Sequence, residues 1–429
     1  GNRLQAYPVD AAGLSAVVLT HAHLDHTGLV PRLVALGYKG RIFATAATVD
    51  LLGVLLMDSA HIQEKEAEWA LRSTRSRKAG RGGNLVPLYT VEQARHSLGR
   101  LRAIGFDEMI EVGHGVHCRF RNAGHILGSA IIEIDVEERG HTRRLVVSGD
   151  LGQPMRPVLQ DPVQIPTADY LCVESTYGTR AHRSFADTCD ELAEALRRTL
   201  KVDGGNVIIP AFAVGRTQEL LFVLADLVRA GRIDRLDVVV DSPMASAVTE
   251  LTVRHDDLWD DETRELYAWT RHHADRFNLR FVQDVEESMA LNSVRGGLVI
   301  ISASGMCDAG RIKHHLRYNL GRRECAIVIA GFQAAGTLGR RLVDGARQVT
   351  LFRERIPVRA RIHTIGGLSA HADQPALLNW LRGFQSPPRR TFVVHGEPSA
   401  AAALAEAVER DLGWREVVVA ERDVPSDLD

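Results

Sequence analysis

No apolar run in this 429-residue chain approaches the roughly 18 residues that a membrane span needs, which argues against an integral membrane protein. Cysteine is scarce. Cys118, Cys172, Cys189, Cys307 and Cys325 are odd in number, widely spaced and without a C-x-x-C pair, so they form no disulfide framework and suit a reducing compartment. No N-terminal stretch has the pattern of a signal peptide, and a cytoplasmic location is expected. Internal repeats are absent. So is an excess of one charge: Lys+Arg 52 against Asp+Glu 54 leaves a formal charge of −2. A protein that held nucleic acid by bulk charge would be strongly basic. Any polyanion must therefore be gripped locally, by a basic patch or by metals.

What remains is ordinary globular composition, 45% hydrophobic and 25% charged, at a length that predicts two or three domains. Short β-branched runs end in polar or glycine-rich loops and are followed by amphipathic segments. Residues 16–20, 145–148, 170–173, 206–210, 237–241, 297–302, 325–330 and 391–394 are examples, and their alternation with helical segments predicts an α/β fold. Ser184 is placed to cap a helix with Phe185, Leu192, Leu196 and Leu200 at helical spacing. Residues 216–230 carry Leu220, Leu224 and Leu227 on one face and stop at Gly231. A third helical run, from Thr48 to about Leu71, is apolar early and charged later. Beyond it Arg72, Arg75, Arg77, Lys78 and Arg81 precede Gly82-Gly83. A solvated loop is the expectation there, with a substrate-facing lid as the alternative. The tail from Glu421 is acidic.

The strongest chemical signal is His21-Ala22-His23-Leu24-Asp25-His26, directly after the apolar run 16–20. Imidazole and carboxylate are zinc ligands, and a turn can aim His21 and His23 one way and Asp25 and His26 another. Other segments add ligand types in the same setting. His125 follows the strand-like run 116–121, Asp150 ends 145–150, and His395 ends 391–395. Each is a His or Asp at the carboxyl end of a hydrophobic run, the edge at which α/β sheets collect their sites. Singly each is weak, since a lone histidine is commonly structural; together they make a seven-ligand set. Glu174, just past the run 170–173, and His371, before a helix with Pro375 in its first turn, are candidates for proton transfer.

These motifs resemble the metallo-β-lactamase superfamily, through His21-x-His23-x-Asp25-His26, His125 and Asp150. Within it Glu174, His371 and His395 are similar to the three additional motifs of the β-CASP nucleases. That group includes the pre-mRNA 3′-end processing endonuclease and bacterial and archaeal ribonucleases. Pro210-Ala211-Phe212-Ala213-Val214-Gly215-Arg216, Ser304-Gly305-Met306 with Gly310-Arg311, and Gly367-Leu368-Ser369-Ala370-His371 match as well. The resemblance implies a metallo-β-lactamase αββα sandwich with an inserted β-CASP α/β domain. The expected division is 1–178 for the first part of the sandwich, 179–355 for the insertion and 356–429 for the return. Family members open with several strands, whereas about 15 residues precede the first ligand-bearing strand here, so N-terminal strands are expected to be missing. Histidine at position 395 favours the RNA processors over the DNA-repair members. Neither an RNA-recognition module nor a zinc ribbon is visible.

By this resemblance His21, His23 and His125 hold one Zn2+, Asp25, His26 and His395 hold a second, and Asp150 bridges them. Manganese is the alternative that such O and N ligands accept. The implied activity is hydrolysis of single-stranded RNA by a two-metal hydroxide mechanism. His371, oriented by Glu174, would protonate the leaving 3′ oxygen, leaving 5′-phosphate and 3′-hydroxyl ends. Catalytic roles fall to Asp25, Asp150, Glu174 and His371. Ser304, Gly305, Met306, Arg311 and Ser369 are the expected phosphate contacts. Two rivals stand beside this reading. A small-molecule thioester or lactam metallo-hydrolase would use the same metals but leaves Glu174 and His371 unexplained. A metal-bound, catalytically idle RNA-binding subunit would leave every catalytic residue type unused. Oligomeric state is not legible.

Overall fold

The computed structural model describes residues 10–75, 86–422 and 424–428. Gly1-Asn2-Arg3 and the side chains of the basic stretch 72–81 lie outside the described residues. The chain divides into two compact units. One comprises Gly1–Gly152, Pro162–Thr179 and Gln374–Asp429; the other comprises Gln153–Asp161 and Arg180–Asp373.

The first unit is built on two sheets. Ala16–Val18, Arg41–Thr45 and Leu101–Ile104 form a parallel three-stranded sheet, with Ala16–Val18 at its edge among the described residues. The other sheet has seven strands. Its antiparallel part runs from Met109–Gly113 through Val116–Asn122 and Ala130–Glu138 to His141–Val147. Its parallel part continues through Tyr170–Glu174 and Arg390–Val394 to Val417–Val419. The sheets face each other across a shared core. Phe43, Ala16, Val18 and Ile104 from the smaller sheet meet Cys118, Phe120, Ala130 and Ile132 from the larger. Helices Ala46–Arg75 and Val91–Leu98 cover the outside of the small sheet, and Pro398–Leu412 packs on strands of the large one. The product is the αββα sandwich.

The covering helices form where local chemistry favours them. Leu51, Leu52, Leu55 and Leu56 recur at helical spacing and are all buried, fixing the inward face of Ala46–Arg75. Val91–Leu98 starts with a capping box: the Thr90 side chain accepts from the Gln93 N–H, and the Gln93 side chain accepts from the Thr90 N–H.

The second unit is a six-stranded, all-parallel sheet. Its order is Phe277–Phe281, Leu236–Val240, Leu298–Ser302, Val207–Pro210, Ala326–Ile329 and Arg361–Thr364. Helices cover both faces, so successive strand residues enter opposite cores. Val207 and Ile209 pack into one and Ile208 into the other; Val238 and Val240 separate from Val239 in the same way. Ser184 caps Phe185–Arg197 by accepting from the Asp187 N–H, and Leu192 and Leu196 are fully buried. Residues 356–373, grouped with the first domain on sequence, supply this sheet's edge strand Arg361–Thr364. The short segment 153–161 also belongs here, through the Leu159–Trp259 bridge and the bond from the Val158 N–H to Thr263 Oγ1.

Candidate metal centre

In the large sheet of the first unit, Val116–Asn122, His141–Val147, Tyr170–Glu174 and Arg390–Val394 all point the same way. Their carboxyl ends therefore share one edge. His125 and Asp150 lie in the turns that follow, Glu174 closes its strand, and Val394 pairs with Glu174, so that His395 is the next residue out. The small sheet reaches the same edge because the Ala130 N–H donates to the Thr20 carbonyl at 2.7 Å. There the chain turns into a one-turn helix, Leu24–Thr27, in which Thr27 donates from both N–H and Oγ1 to the His23 carbonyl. His21 and His23 precede this turn; Asp25 and His26 lie within it. The loop thereby divides its side chains between two groups.

The first group is His21, His23, His125 and Asp150. His23 Nδ1 lies 3.1 Å from His21 Nε2 and 3.3 Å from His125 Nε2. Asp150 Oδ2 lies 3.3 Å from His21 Nε2 and 3.5 Å from His125 Nε2. The second group is Asp25, His26 and His395. His26 Nε2 is 3.2 Å from His395 Nε2, and Asp25 Oδ2 is 3.4 Å from that same atom. Asp150 reaches this group with its other oxygen: Oδ1 is 3.4 Å from His26 Nε2. Four ligands set tetrahedrally at about 2.0–2.1 Å from zinc stand about 3.3 Å from one another. The donor separations bracket that value in the first group, at 3.1–3.5 Å, and run from 3.2 to 3.7 Å in the second. His21, His125 and Asp150 are buried, whereas Asp25 and His395 lie at the exposed rim.

Electrostatics favour positive charge here. Hydrogen bonding to Asp25, with Asp150 and Glu174 close by, lifts His395 to about 9 against the effect of burial. The same bond holds Asp25 well below the usual carboxylate range. Burial, followed by the neighbouring His21 ring, pushes His26 down to about 4, toward the neutral form that binds metal.

Several supporting residues carry no motif of their own. Thr20 Oγ1 is 3.1 Å from His21 Nδ1, and Thr176 Oγ1 is 3.2 Å from His395 Nδ1, each orienting an imidazole from its far side. Ser129 Oγ accepts from the His125 N–H at 2.9 Å and shapes that turn. In the sequence Thr20 is marked only by standing beside His21, and Thr176 only by following Glu174 by two positions. Glu174 is fully buried, and its carboxylate accepts from the Leu151 and Thr176 N–H groups at 2.7 and 3.3 Å. His395 itself has φ +50, a left-handed conformation rare outside glycine.

The other expected site residues belong to the second unit. His371 lies in a half-buried turn after Ser369, and its carbonyl accepts from His182 Nε2 at 3.0 Å. The Asp373 N–H donates to Gln153 Oε1, and Asp373 accepts from the His182 N–H. Ser304, Gly305 and Met306 form the turn after Leu298–Ser302, at the carboxyl edge of the parallel sheet. Gln333 Nε2 donates to the Gly305 carbonyl at 3.0 Å, and Phe212 lies so close that a side chain at Gly305 would press on its ring. Arg311, expected as a phosphate contact, has partners within the second unit. It donates to Asp241 Oδ1 at 2.7 Å and to the Val282 and Gln283 carbonyls. Asp241 also accepts from Ser288 and pairs with His315, both at 2.6 Å, so Arg311 completes a buried polar network.

Two family domains match the chain: the Beta-Casp domain over residues 217–342, and the Zn-dependent metallo-hydrolase RNA specificity domain over 355–419. Ribonuclease TTHA0252 of Thermus thermophilus is 37% identical over 397 residues, covering 92% of this chain and 84% of the relative. The RNase J-like protein of Methanocaldococcus jannaschii is 28% identical over 409 residues, covering 94% and 86%. Transcription termination factor FttA of Methanothermobacter thermautotrophicus is 30% identical over 414 residues, and this chain spans 60% of its length. With these relatives and clustered His and Asp donors suited to metal on an αββα sandwich, the chain belongs to the β-CASP ribonucleases of the metallo-β-lactamase superfamily.

Proposed function

We propose that this β-CASP family member is a zinc-dependent ribonuclease that cleaves single-stranded RNA endonucleolytically and leaves 5′-phosphate and 3′-hydroxyl ends. One observation carries the reading: Asp150 presents one oxygen to each of two ligand groups, the arrangement a pair of ions requires. His21, His23 and His125 would hold one Zn2+ and Asp25, His26 and His395 the other, with Asp150 shared. Such a pair, when bound, polarises a phosphodiester and brings the pKa of water to about 7. Thr20 and Thr176 fix the imidazoles, and buried Glu174 adds negative charge beside His395.

Proton delivery to the departing 3′ oxygen is assigned to His371, with Glu174 as its orienting carboxylate. The basis is the family pattern of Gly367-Leu368-Ser369-Ala370-His371. Backbone N–H groups of the Ser304-Gly305-Met306 turn and the Ser369 side chain are proposed to hold phosphate oxygens. Arg311, which also donates to Asp241, is proposed to add a charge-assisted contact to phosphate.

The test is metal analysis joined to cleavage of internally labelled single-stranded RNA. Purified protein should carry close to two zinc ions per chain, and His23→Ala should lose at least one. The RNA should yield fragments with 5′-phosphate and 3′-hydroxyl termini. Protein that holds no transition metal even after reconstitution would refute the centre. Intact RNA alongside turnover of a thioester or lactam would transfer the site to small-molecule hydrolysis.

A further inference from the structure

The near-neutral chain conceals a local charge separation. In the second unit, helices Phe185–Arg197, Arg216–Arg229, Pro243–Arg254 and Asp261–His272 cover one face of the parallel sheet. Residues 185–272 carry ten Lys or Arg against seventeen Asp or Glu. Helix Val285–Leu291, which carries Glu286 and Glu287, packs on the opposite face beside helices Ile312–Asn319 and Leu338–Val343 and the hairpin of Gln348–Leu351 with Glu354–Pro357. Residues 311–361 carry twelve Lys or Arg against three Asp or Glu. An arginine-rich composition alone would colour both layers alike.

The positive layer also has structure. Phe352, at the hairpin turn, is 42% exposed. Its ring packs on His314 with centroids 4.5 Å apart, and Lys313 Nζ lies 5.4 Å from its centre. Tyr318, 45% exposed, has the Arg317 guanidinium over its ring at 5.6 Å. Arg317 spends its charge on Glu354, with bonds of 3.0 and 2.7 Å. Arg353, Arg355 and Arg359 are exposed and form no ion pair among the described residues. Cations without carboxylate partners, interleaved with exposed rings, are what a single strand needs: charge for its phosphates and faces for its bases.

We propose that the helix Ile312–Asn319, the hairpin 348–357 and Arg359 just beyond it form an RNA-tracking surface on the second unit that binds phosphates of the substrate strand through Arg353, Arg355 and Arg359 and stacks a base on Phe352. This rests on the ribonuclease reading above, and its test can fail independently. Binding of fluorescent single-stranded RNA to the metal-loaded enzyme is followed by stopped-flow anisotropy, read before turnover, across a range of salt. For single strands the slope of log K against log salt changes by about 0.7 per phosphate contact. The triple variant Arg353→Glu, Arg355→Glu, Arg359→Glu should flatten it by about 2. Phe352→Ala should weaken binding by about tenfold, with Phe352→Trp restoring it. Hydrolysis of bis(p-nitrophenyl) phosphate, which is too small to span the surface, should be unchanged in all of them. Arg254→Glu, Arg264→Glu, Arg271→Glu on the acidic layer serves as the control and should leave the slope unchanged. Wild-type affinity and slope in the basic-layer variants would overturn the proposal. Competition by poly-glutamate as effective as RNA at equal charge would also overturn it, in favour of an acidic protein partner. A wild-type enzyme that binds RNA with the expected slope yet never cleaves it would sink the ribonuclease reading and leave this surface standing. Failure to bind RNA at all would remove both.

Discussion

At the residue scale, the side chains that gather at the candidate centre were legible because their chemistry is local. His21, His23, Asp25 and His26 announce themselves by crowding, and His125, Asp150, Glu174 and His395 by ending apolar runs. Thr20, Ser129 and Thr176 were not legible, because a hydroxyl becomes a histidine's partner only through a particular rotamer and turn. The carboxylate paired with Arg311 was hidden for a similar reason: Asp241 lies 70 positions away in sequence. Two predictions belong at this scale. His371→Ala should keep both metals and RNA binding while slowing single-turnover cleavage by about 10²–10⁴-fold, the usual worth of a positioned acid. A substrate with sulfur as the bridging 3′ atom should recover much of that loss but should not rescue Asp150→Ala. Loss of zinc, or an unchanged rate on ordinary RNA, would refute the assignment. His395 pays for its position with a left-handed backbone. In chelator, His395→Gly should therefore be more stable to urea than His395→Ala by about 1 kcal/mol. Equal stability would show that the conformation carries no strain.

At the element scale, the buried strands of the second unit were visible as continuous apolar runs because helices cover both their faces. Helix starts were visible where a cap is a single side chain. Ser184→Ala should cost about 1 kcal/mol in urea unfolding, whereas Leu192→Ala, deep in the same helix, should cost about 2–5 kcal/mol. If both cost the same, the cap is not what starts this helix. Cys118, Cys307 and Cys325 are core residues, and Cys172 and Cys189 are half-buried. Burial pushes Cys118 up to about 11 and Cys307 up to about 12, so their thiols stay protonated and inert at neutral pH. The scarcity of cysteine in the sequence is thus matched by its placement.

At the scale of the whole molecule, each unit has its own core, and the first is assembled from three separate stretches of chain. Metal bound only by the folded sandwich should stabilise that unit by mass action. In calorimetry, a chelator should lower the transition that Leu51→Ala also lowers, and should leave the one sensitive to Leu192→Ala. A chelator shift equal in both would mean that the units unfold together. Sequence alone determined the α/β class, the strand ends at which His and Asp gather and the family, because side-chain period, turn residues and ligand chemistry are properties of short segments. Tertiary structure alone decided that Tyr170–Glu174 lies beside Arg390–Val394, joining residues 219 positions apart, as in the bond from Ser175 to the Val394 carbonyl. It also decided that Asp150 turns one oxygen to each ligand group, and that basic residues gather on one layer of a near-neutral chain. Strand adjacency and the facing of distant surfaces are set by how whole faces bury against one another, and no local pattern in the chain encodes that choice.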